Sequence, residues 1–171
     1  MTISQIEKLT SGLLLPFATW PHSEVPHAGA GVYSIWNLDG ALIYVGMSGR
    51  GMTSSQILES QNAGTKRGLW TRLNSHASGA RSGDQFCVYV ADRLVLKNLN
   101  TEHVEAISNR TTNFDHLIRK YIHENLSFRF AVTLDGKAAG ELETECRLGS
   151  LGAIPYLNPV MKKSQNRQPI V

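Results

Sequence analysis

Cysteine is scarce in this chain of 171 residues, which contains two, Cys87 and Cys146. They lie far apart and neither belongs to a CxxC pair, so the sequence indicates neither a disulfide framework nor a zinc ribbon. Long apolar runs are also missing, because the run near the N-terminus covers only residues 13–15. That is too short for a signal peptide or a membrane span. We therefore expect a cytoplasmic protein with buried free thiols and no membrane partner.

Charge is sparse as well. Charged residues make up 18% and apolar residues 42%, a balance that excludes a disordered chain or a coiled coil and fits a compact domain. Lys and Arg (17) exceed Asp and Glu (14) by three, and the isoelectric point is about 9.0. This mild basic excess permits a nucleic-acid partner without requiring one.

Several catalytic motifs are absent. The glycines form neither a Walker loop nor a GxGxxG after a strand, and the six histidines show no zinc-ligand spacing. A thiol nucleophile is disfavoured because Cys87 falls within an apolar segment that resembles a strand.

Hydrophobic periodicity predicts an α/β (α+β) fold, with a small mixed or antiparallel central sheet flanked by helices. Strands are predicted at 31–36, 41–46, 86–91 and 128–134. Helices are predicted near the N-terminus, within 47–66, and at 67–77, 101–108, 114–124 and 137–148. The chain then divides into an N-terminal helix and arm (1–30), one domain (31–159) with insertions at about 47–66 and 84–125, and a basic tail (160–171).

The clearest element is a hairpin around the turn Asn37-Leu38-Asp39-Gly40. A four-residue loop would place Tyr33 opposite Tyr44, and a two-residue loop would shift the partners by two. In both cases the two phenols lie on one face of the sheet, because side chains alternate along a strand. They could be packed aromatics or part of a reactive site.

Arg72 and His76 lie one helical turn apart beside the apolar stripe of Leu69 and Leu73. A guanidinium there could hold a phosphate in two-point contact and oppose developing charge. The ordinary alternatives are an arginine lying over its own helix and a solvated histidine.

Glu145 shares a helical stripe with Ala138, Leu142 and Gly149, so we expect it to face inward. An inward carboxylate needs a partner, and Mg²⁺ suits a single carboxylate completed by waters and phosphate oxygens. The alternative is a surface salt bridge, the role that we expect for Glu141 and Glu143, which are the less favoured candidates for the metal carboxylate.

The tripeptides Gly31-Val32-Tyr33 and Tyr44-Val45-Gly46, ten residues apart, resemble the defining pair of the GIY-YIG nuclease family. The segment 69–76 resembles that family's arginine helix, and Glu145 with Pro155-Tyr156-Leu157-Asn158 resembles its glutamate helix and closing segment. The resemblance covers residues 31–46, 67–79 and about 127–159. Departures are the long gap from Gly46 to Arg72 and one extra residue between Glu145 and Asn158.

The resemblance implies an endonuclease that hydrolyses DNA phosphodiester bonds with Mg²⁺ or Mn²⁺. Tyr33 would activate the attacking water, and Tyr44 would position phosphate or water. His76 would transfer a proton or contact phosphate. The supporting roles fall to Asn158, which would fix the loop or the phosphate, and to Gly31 and Gly46. The rival interpretations are a catalytically silent or partner-dependent nucleic-acid-binding module, and a structural domain.

Basic residues are concentrated between Tyr44 and Arg81, a segment that contains five of them and only one acidic residue, Glu59. We therefore expect DNA contacts from Ser48, Arg50, Lys66, Arg67 and Arg81, and from Lys162 and Lys163 of the tail. Since no separate DNA-reading domain fits in the chain, recognition would come from the insertions, the tail, a homodimer or a partner protein.

Overall fold

The computed structural model describes residues 4–159, so Lys162 and Lys163 lie outside the described residues. Within that range there are five strands: β1 (Leu15–Pro16), β2 (Ala28–Asn37), β3 (Leu42–Ser48), β4 (Arg67–Gly68) and β5 (Leu126–Thr133). The α-helices are α1 (Gln5–Thr10), α2 (Ser54–Asn62), α3 (Leu69–Ser78), α4 (Gln85–Val90), α5 (Thr101–Ser108), α6 (Phe114–Asn125) and α7 (Gly136–Glu145).

The long strand β2 is the centre of the sheet. It pairs antiparallel with β3 on one side and with β5 on the other, and β1 continues the order beyond β5. The two-residue strand β4 runs parallel to the start of β2, where Ala28 pairs with Arg67. The fold is therefore α+β with a mixed, mainly antiparallel sheet and flanking helices, which confirms the prediction.

Two apolar cores lie on the two faces of the sheet. One contains Tyr33 and Ile35 of β2 together with buried residues of α3, α4 and α6. The other contains Val32 of β2 together with buried residues of α1, α2 and α7. The alternation of Val32, Tyr33 and Ile35 thus assigns Tyr33 to the α3 side, because neighbouring residues of a strand point to opposite faces.

The predicted strand at 86–91 is wrong, because this segment forms α4 and the wider helical turn Ala91–Val95. Asp84 caps α4, and its side chain accepts hydrogen bonds from the backbone N–H groups of Phe86 and Cys87. Phe86, Val90 and Leu94 are all buried, and their spacing of four residues is helical rather than alternating.

Of the two hairpin registers that the sequence allows, the structure has the one in which the partners are shifted by two residues. Tyr33 lies opposite Gly46, and Tyr44 lies opposite Ile35. Next to the turn, an irregularity between Ile35 and Trp36 changes the register by one residue, so that Trp36 lies opposite Leu42. Because the two predicted registers differ by two residues, an even number, both tyrosines lie on one face as expected, with ring centroids 6.4 Å apart.

The other predicted elements are present with small changes of bounds, whereas the two-residue strands β1 and β4 were not predicted. The helix predicted at 101–108 matches α5, whereas the one predicted at 137–148 ends at Glu145 and continues as the wider turn Cys146–Ser150. Cys87 and Cys146 are buried free thiols, as expected, and burial raises the pKa of both. No helix within residues 4–159 is long and apolar enough to cross a bilayer.

Candidate active site

A cavity of about 360 Å³ brings together four of the residues predicted to be catalytic. They come from three elements: Tyr33 from β2, Tyr44 from β3, and Arg72 with His76 from α3. Two acids that the sequence did not single out as catalytic also line it, Asp84 and Glu143. The cavity therefore combines phenols, an imidazole, a guanidinium and carboxylates.

Tyr33, His76 and Asp84 form a buried chain of hydrogen bonds. The Tyr33 hydroxyl lies 2.8 Å from His76 Nε2, and His76 Nδ1 lies 2.7 Å from Asp84 Oδ2. Asp84 Oδ2 also accepts from the Ser75 hydroxyl at 2.6 Å. A carboxylate accepts only, so we assign the proton of neutral His76 to Nδ1, and Nε2 then accepts the hydroxyl proton of Tyr33.

Burial and nearby charges keep the three hydrogen-bonded residues in these protonation states. Burial lowers the pKa of His76 against the raising effect of Asp84, so the imidazole is neutral near pH 7. Burial alone would raise the pKa of Asp84, but its hydrogen bonds from His76 and Ser75 lower it overall, and it stays ionised. Burial raises the pKa of Tyr33 well above its usual value, so this residue is a phenol.

Aromatic packing holds the second phenol in place. The Tyr44 ring is perpendicular to His76, with centroids 6.2 Å apart, and it packs on Phe86 at 5.1 Å. Burial raises the pKa of Tyr44 to about 12, and the charge of Glu143 adds to this. Tyr44 is therefore a neutral hydrogen-bonding group rather than a base.

Gly46 explains how Tyr33 reaches His76. A Cβ at Gly46 would collide with the hydroxyl end of the Tyr33 ring, which lies across β3 at this point. Gly31 is similarly constrained, because a Cβ there would collide with the Ala131 backbone and the Leu69 side chain. The two glycines thus allow β2, β3, β5 and α3 to approach closely around the site.

Arg72 carries a positive charge into the cavity. This charge lowers the pKa of both Tyr33 and His76, although burial and other charges outweigh it at Tyr33. Arg72 makes no salt bridge with any acid in residues 4–159. Its guanidinium is therefore available to an anionic ligand.

The expectation that Glu145 faces inward is wrong, because Glu145 is exposed and Glu143 lines the cavity. The inward side of α7 contains Gly136, Ala139, Leu142 and Glu143, and it continues to Cys146. Gly136 sets this orientation, since a Cβ there would collide with the backbone of the loop after β3. Glu141 remains on the surface beside Lys137.

Glu143 is suited to bind a divalent cation that takes one carboxylate from the protein. Its side chain is 16% exposed and lies 3.8 Å from Arg147. Burial raises the pKa of Glu143 against the effects of Arg147 and Arg50, so this carboxylate lacks full compensation of its charge. Residues 4–159 contain no group of three or more His, Cys, Asp or Glu side chains suited to a metal. A cation here would complete its shell with waters and phosphate oxygens, as Mg²⁺ commonly does.

Asn158 lies outside the cavity and fixes the closing segment. Its side-chain amide accepts from Val45 N and donates to Val45 O, both at 2.8 Å. The backbone N–H of Leu157 donates to Ile43 O, and that of Tyr156 donates to Leu42 O. Of the two roles expected for Asn158, this geometry fits that of holding the loop.

The predicted DNA contacts separate into two groups. Ser48 and Arg50 line the cavity, and Arg67 lines a second cavity beside it. Lys66 instead lies over the Trp70 ring, 4.0 Å from its centroid. Arg81 pairs with Asp115 at 2.6 Å and borders a larger cavity of about 660 Å³ that contains none of Tyr33, His76, Asp84 or Glu143. We therefore place the candidate site in the smaller cavity, where these groups meet.

No family model matches the chain, and neither a curated protein nor a solved structure shows significant similarity to it. The resemblance to GIY-YIG nucleases therefore stays a prediction, and the site must be argued from its own geometry.

Proposed function

We propose that this protein is a divalent-metal-dependent endonuclease that hydrolyses phosphodiester bonds in DNA. The observation that carries the proposal is the Tyr33–His76–Asp84 chain, which opens on the same cavity as Arg72 and Glu143. The resemblance of the two tripeptides and the arginine helix to GIY-YIG nucleases supports the same reaction.

In this proposal the hydrogen-bonded residues Tyr33 and His76 remove a proton from the attacking water. Water gives its proton to the Tyr33 oxygen while Tyr33 gives its own proton to His76 Nε2, 2.8 Å away. Tyr33 need not become a free phenolate, which its raised pKa would oppose. Asp84 does not touch the substrate; it is a positioning residue that keeps His76 Nε2 unprotonated and stabilises the imidazolium that forms.

The other groups act on the phosphate. The water oxygen attacks phosphorus in line with the 3′ oxygen, and the bond to that oxygen breaks to leave a 5′ phosphate and a 3′ oxygen that takes a proton from solvent. Arg72 opposes the charge that grows on the non-bridging oxygens, and Tyr44 orients phosphate or water by hydrogen bonding. Glu143 would hold Mg²⁺ or Mn²⁺, which would supply Lewis-acid stabilisation of the developing negative charge.

The test is incubation of supercoiled plasmid and linear duplex with the protein in Mg²⁺, in Mn²⁺ and in EDTA. We expect nicked or linear products that carry 5′ phosphates in either metal and no products in EDTA. Cleavage that persists in EDTA would contradict the proposal. Salt-sensitive DNA binding without cleavage in either metal would instead support the nucleic-acid-binding module.

Asp84→Asn is expected to slow cleavage about 10²-fold, at the lower end of what general acid–base catalysis contributes. Asp84 raises the pKa of His76, so loss of its charge lowers that pKa further. Cleavage requires neutral His76 and fails as the pH falls through its pKa. The acid limb of the pH–rate profile should therefore move to lower pH.

Asp92→Asn is the matched control for this variant, because Asp92 is exposed and lines neither cavity of the site. It should leave both the rate and the pH profile unchanged. A slower Asp84→Asn enzyme with an unmoved acid limb would contradict the positioning role.

A further inference from the structure

A second cavity of about 310 Å³ adjoins the candidate active site. The two share four lining residues, Ser48, Gly49, Arg50 and Arg72, so they form one continuous groove. Arg67 lines only the second cavity. A ligand that fills the first cavity and extends past Arg72 therefore enters the second.

The two cavities differ in charge. The first contains Asp84 and Glu143, whereas among residues 4–159 no acid lines the second, which has Arg50, Arg67 and Arg72. None of these three arginines makes a salt bridge with another described residue. Three guanidiniums on one concave surface attract an anion, and their planar forks match the oxygens of a phosphate.

The backbone at Arg67 is held firmly. Its N–H donates to His27 O at 2.7 Å, and Arg67 and Gly68 pair with Ala28 and Gly29 of β2. Helix α3, which carries Arg72, begins at the next residue, Leu69. The second cavity is thus attached to the same strand and helix as Tyr33 and Arg72, at a fixed distance from them.

We propose that the second cavity binds a phosphate of the same DNA strand next to the one that is cleaved, with Arg67 as its contact. The proposal rests on the endonuclease function and narrows it, because it makes the substrate a polynucleotide strand rather than an isolated phosphodiester. A dinucleotide, which has a single phosphodiester, fills only the first cavity.

The experiment compares Arg67→Ala with Arg93→Ala, which removes the same charge from an exposed position outside both cavities. Binding to a short labelled duplex is measured in EDTA over a range of salt concentrations by fluorescence anisotropy. Loss of one phosphate contact should reduce the salt slope of log Kobs by about 0.9 for Arg67→Ala and leave it unchanged for Arg93→Ala. At about 0.1 M salt this reduction of the slope corresponds to roughly eightfold weaker binding by Arg67→Ala than by wild type.

Cleavage provides the second readout. Arg67→Ala should lower kcat/KM roughly eightfold for the duplex, without changing the rate on a dinucleotide. Arg67→Lys should recover part of the loss, because it keeps the charge without the planar fork.

The outcomes separate this proposal from the endonuclease function. If wild-type protein cleaves DNA but Arg67→Ala behaves like Arg93→Ala in slope and rate, the flanking-phosphate site is wrong and the endonuclease stands. If wild-type protein cleaves nothing in either metal but Arg67→Ala lowers the salt slope, the phosphate site stands and the endonuclease function is wrong. A wild-type protein whose DNA affinity does not change with salt would overturn the phosphate site.

Discussion

Arg72→Ala is expected to cut DNA about 10²–10³-fold more slowly than the wild type, the usual cost of removing one preorganised donor from a developing oxyanion. Arg72 reaches the cavity that holds Tyr33 and His76 and has no acidic partner within residues 4–159. Its removal therefore deletes charge stabilisation in the transition state without stranding a carboxylate. Single-turnover rates at saturating protein would measure the effect on the chemical step.

Two variants control for this result. Arg72→Lys keeps the charge but not two-point contact, so it should recover only part of the rate. Arg93→Ala should cleave like wild type. The thermal midpoint of Arg72→Ala should stay close to that of wild type, since the side chain forms no salt bridge in the described structure. If Arg72→Ala cleaves DNA at the wild-type rate, the guanidinium of Arg72 has no role in the reaction.

Glu143→Gln is expected to reduce cleavage at fixed Mg²⁺ by roughly 10²–10³-fold, since metal-ion stabilisation is worth several kcal/mol and 1.36 kcal/mol is tenfold in rate. Glutamine has nearly the same shape and no charge, so helix α7 should be preserved. The variant loses the ion pair of Glu143 with Arg147, but it also removes a charge whose burial is unfavourable, so the thermal midpoint should change little. Cleavage rates titrated with Mg²⁺ and Mn²⁺ would show whether the metal requirement has changed.

Glu145→Gln supplies a control on the same helix, two residues away and exposed. It should cleave like wild type at every metal concentration. If Glu145→Gln loses activity and Glu143→Gln keeps it, the sequence-based choice of Glu145 is right and the assignment from the cavity is wrong.

Much of the site could be predicted because its parts have strong local signals. The Asp-Gly turn identifies the hairpin of β2 and β3, and the stripe of Leu69, Leu73 and Ala77 identifies α3. Each tyrosine could be assigned to a face without knowledge of the register, because an even shift leaves the faces unchanged.

The position of the carboxylate was harder to predict because α7 has small residues on two faces. Ala138 and Ala139 are equally suited to a close helix–sheet contact, so hydrophobicity does not define the inward face. The contact between Gly136 and the loop after β3 decides it, and that contact joins residues distant in sequence. A shift of two positions, from Glu145 to Glu143, turns a helix by more than half a revolution.

Asp84 was missed because of the mistaken strand at 86–91. Short apolar runs fit a buried strand and a buried helix equally well. A signal was present, since Asp followed by an apolar run with spacing of four is typical of a capped helix. With that interpretation Asp84 becomes an N-cap, and its position beside His76 still depends on how α3 and α4 pack.

Asn158 also affects how the protein could associate with a second copy. β3 is the last strand on its side of the sheet, and such an edge exposes unpaired backbone groups that can recruit a strand from another molecule. The Asn158 amide and the backbone of Tyr156 and Leu157 already occupy these groups from Leu42 to Val45. A homodimer built by strand addition along this stretch would first have to displace the closing segment, so residues 156–158 protect the protein against edge-to-edge aggregation.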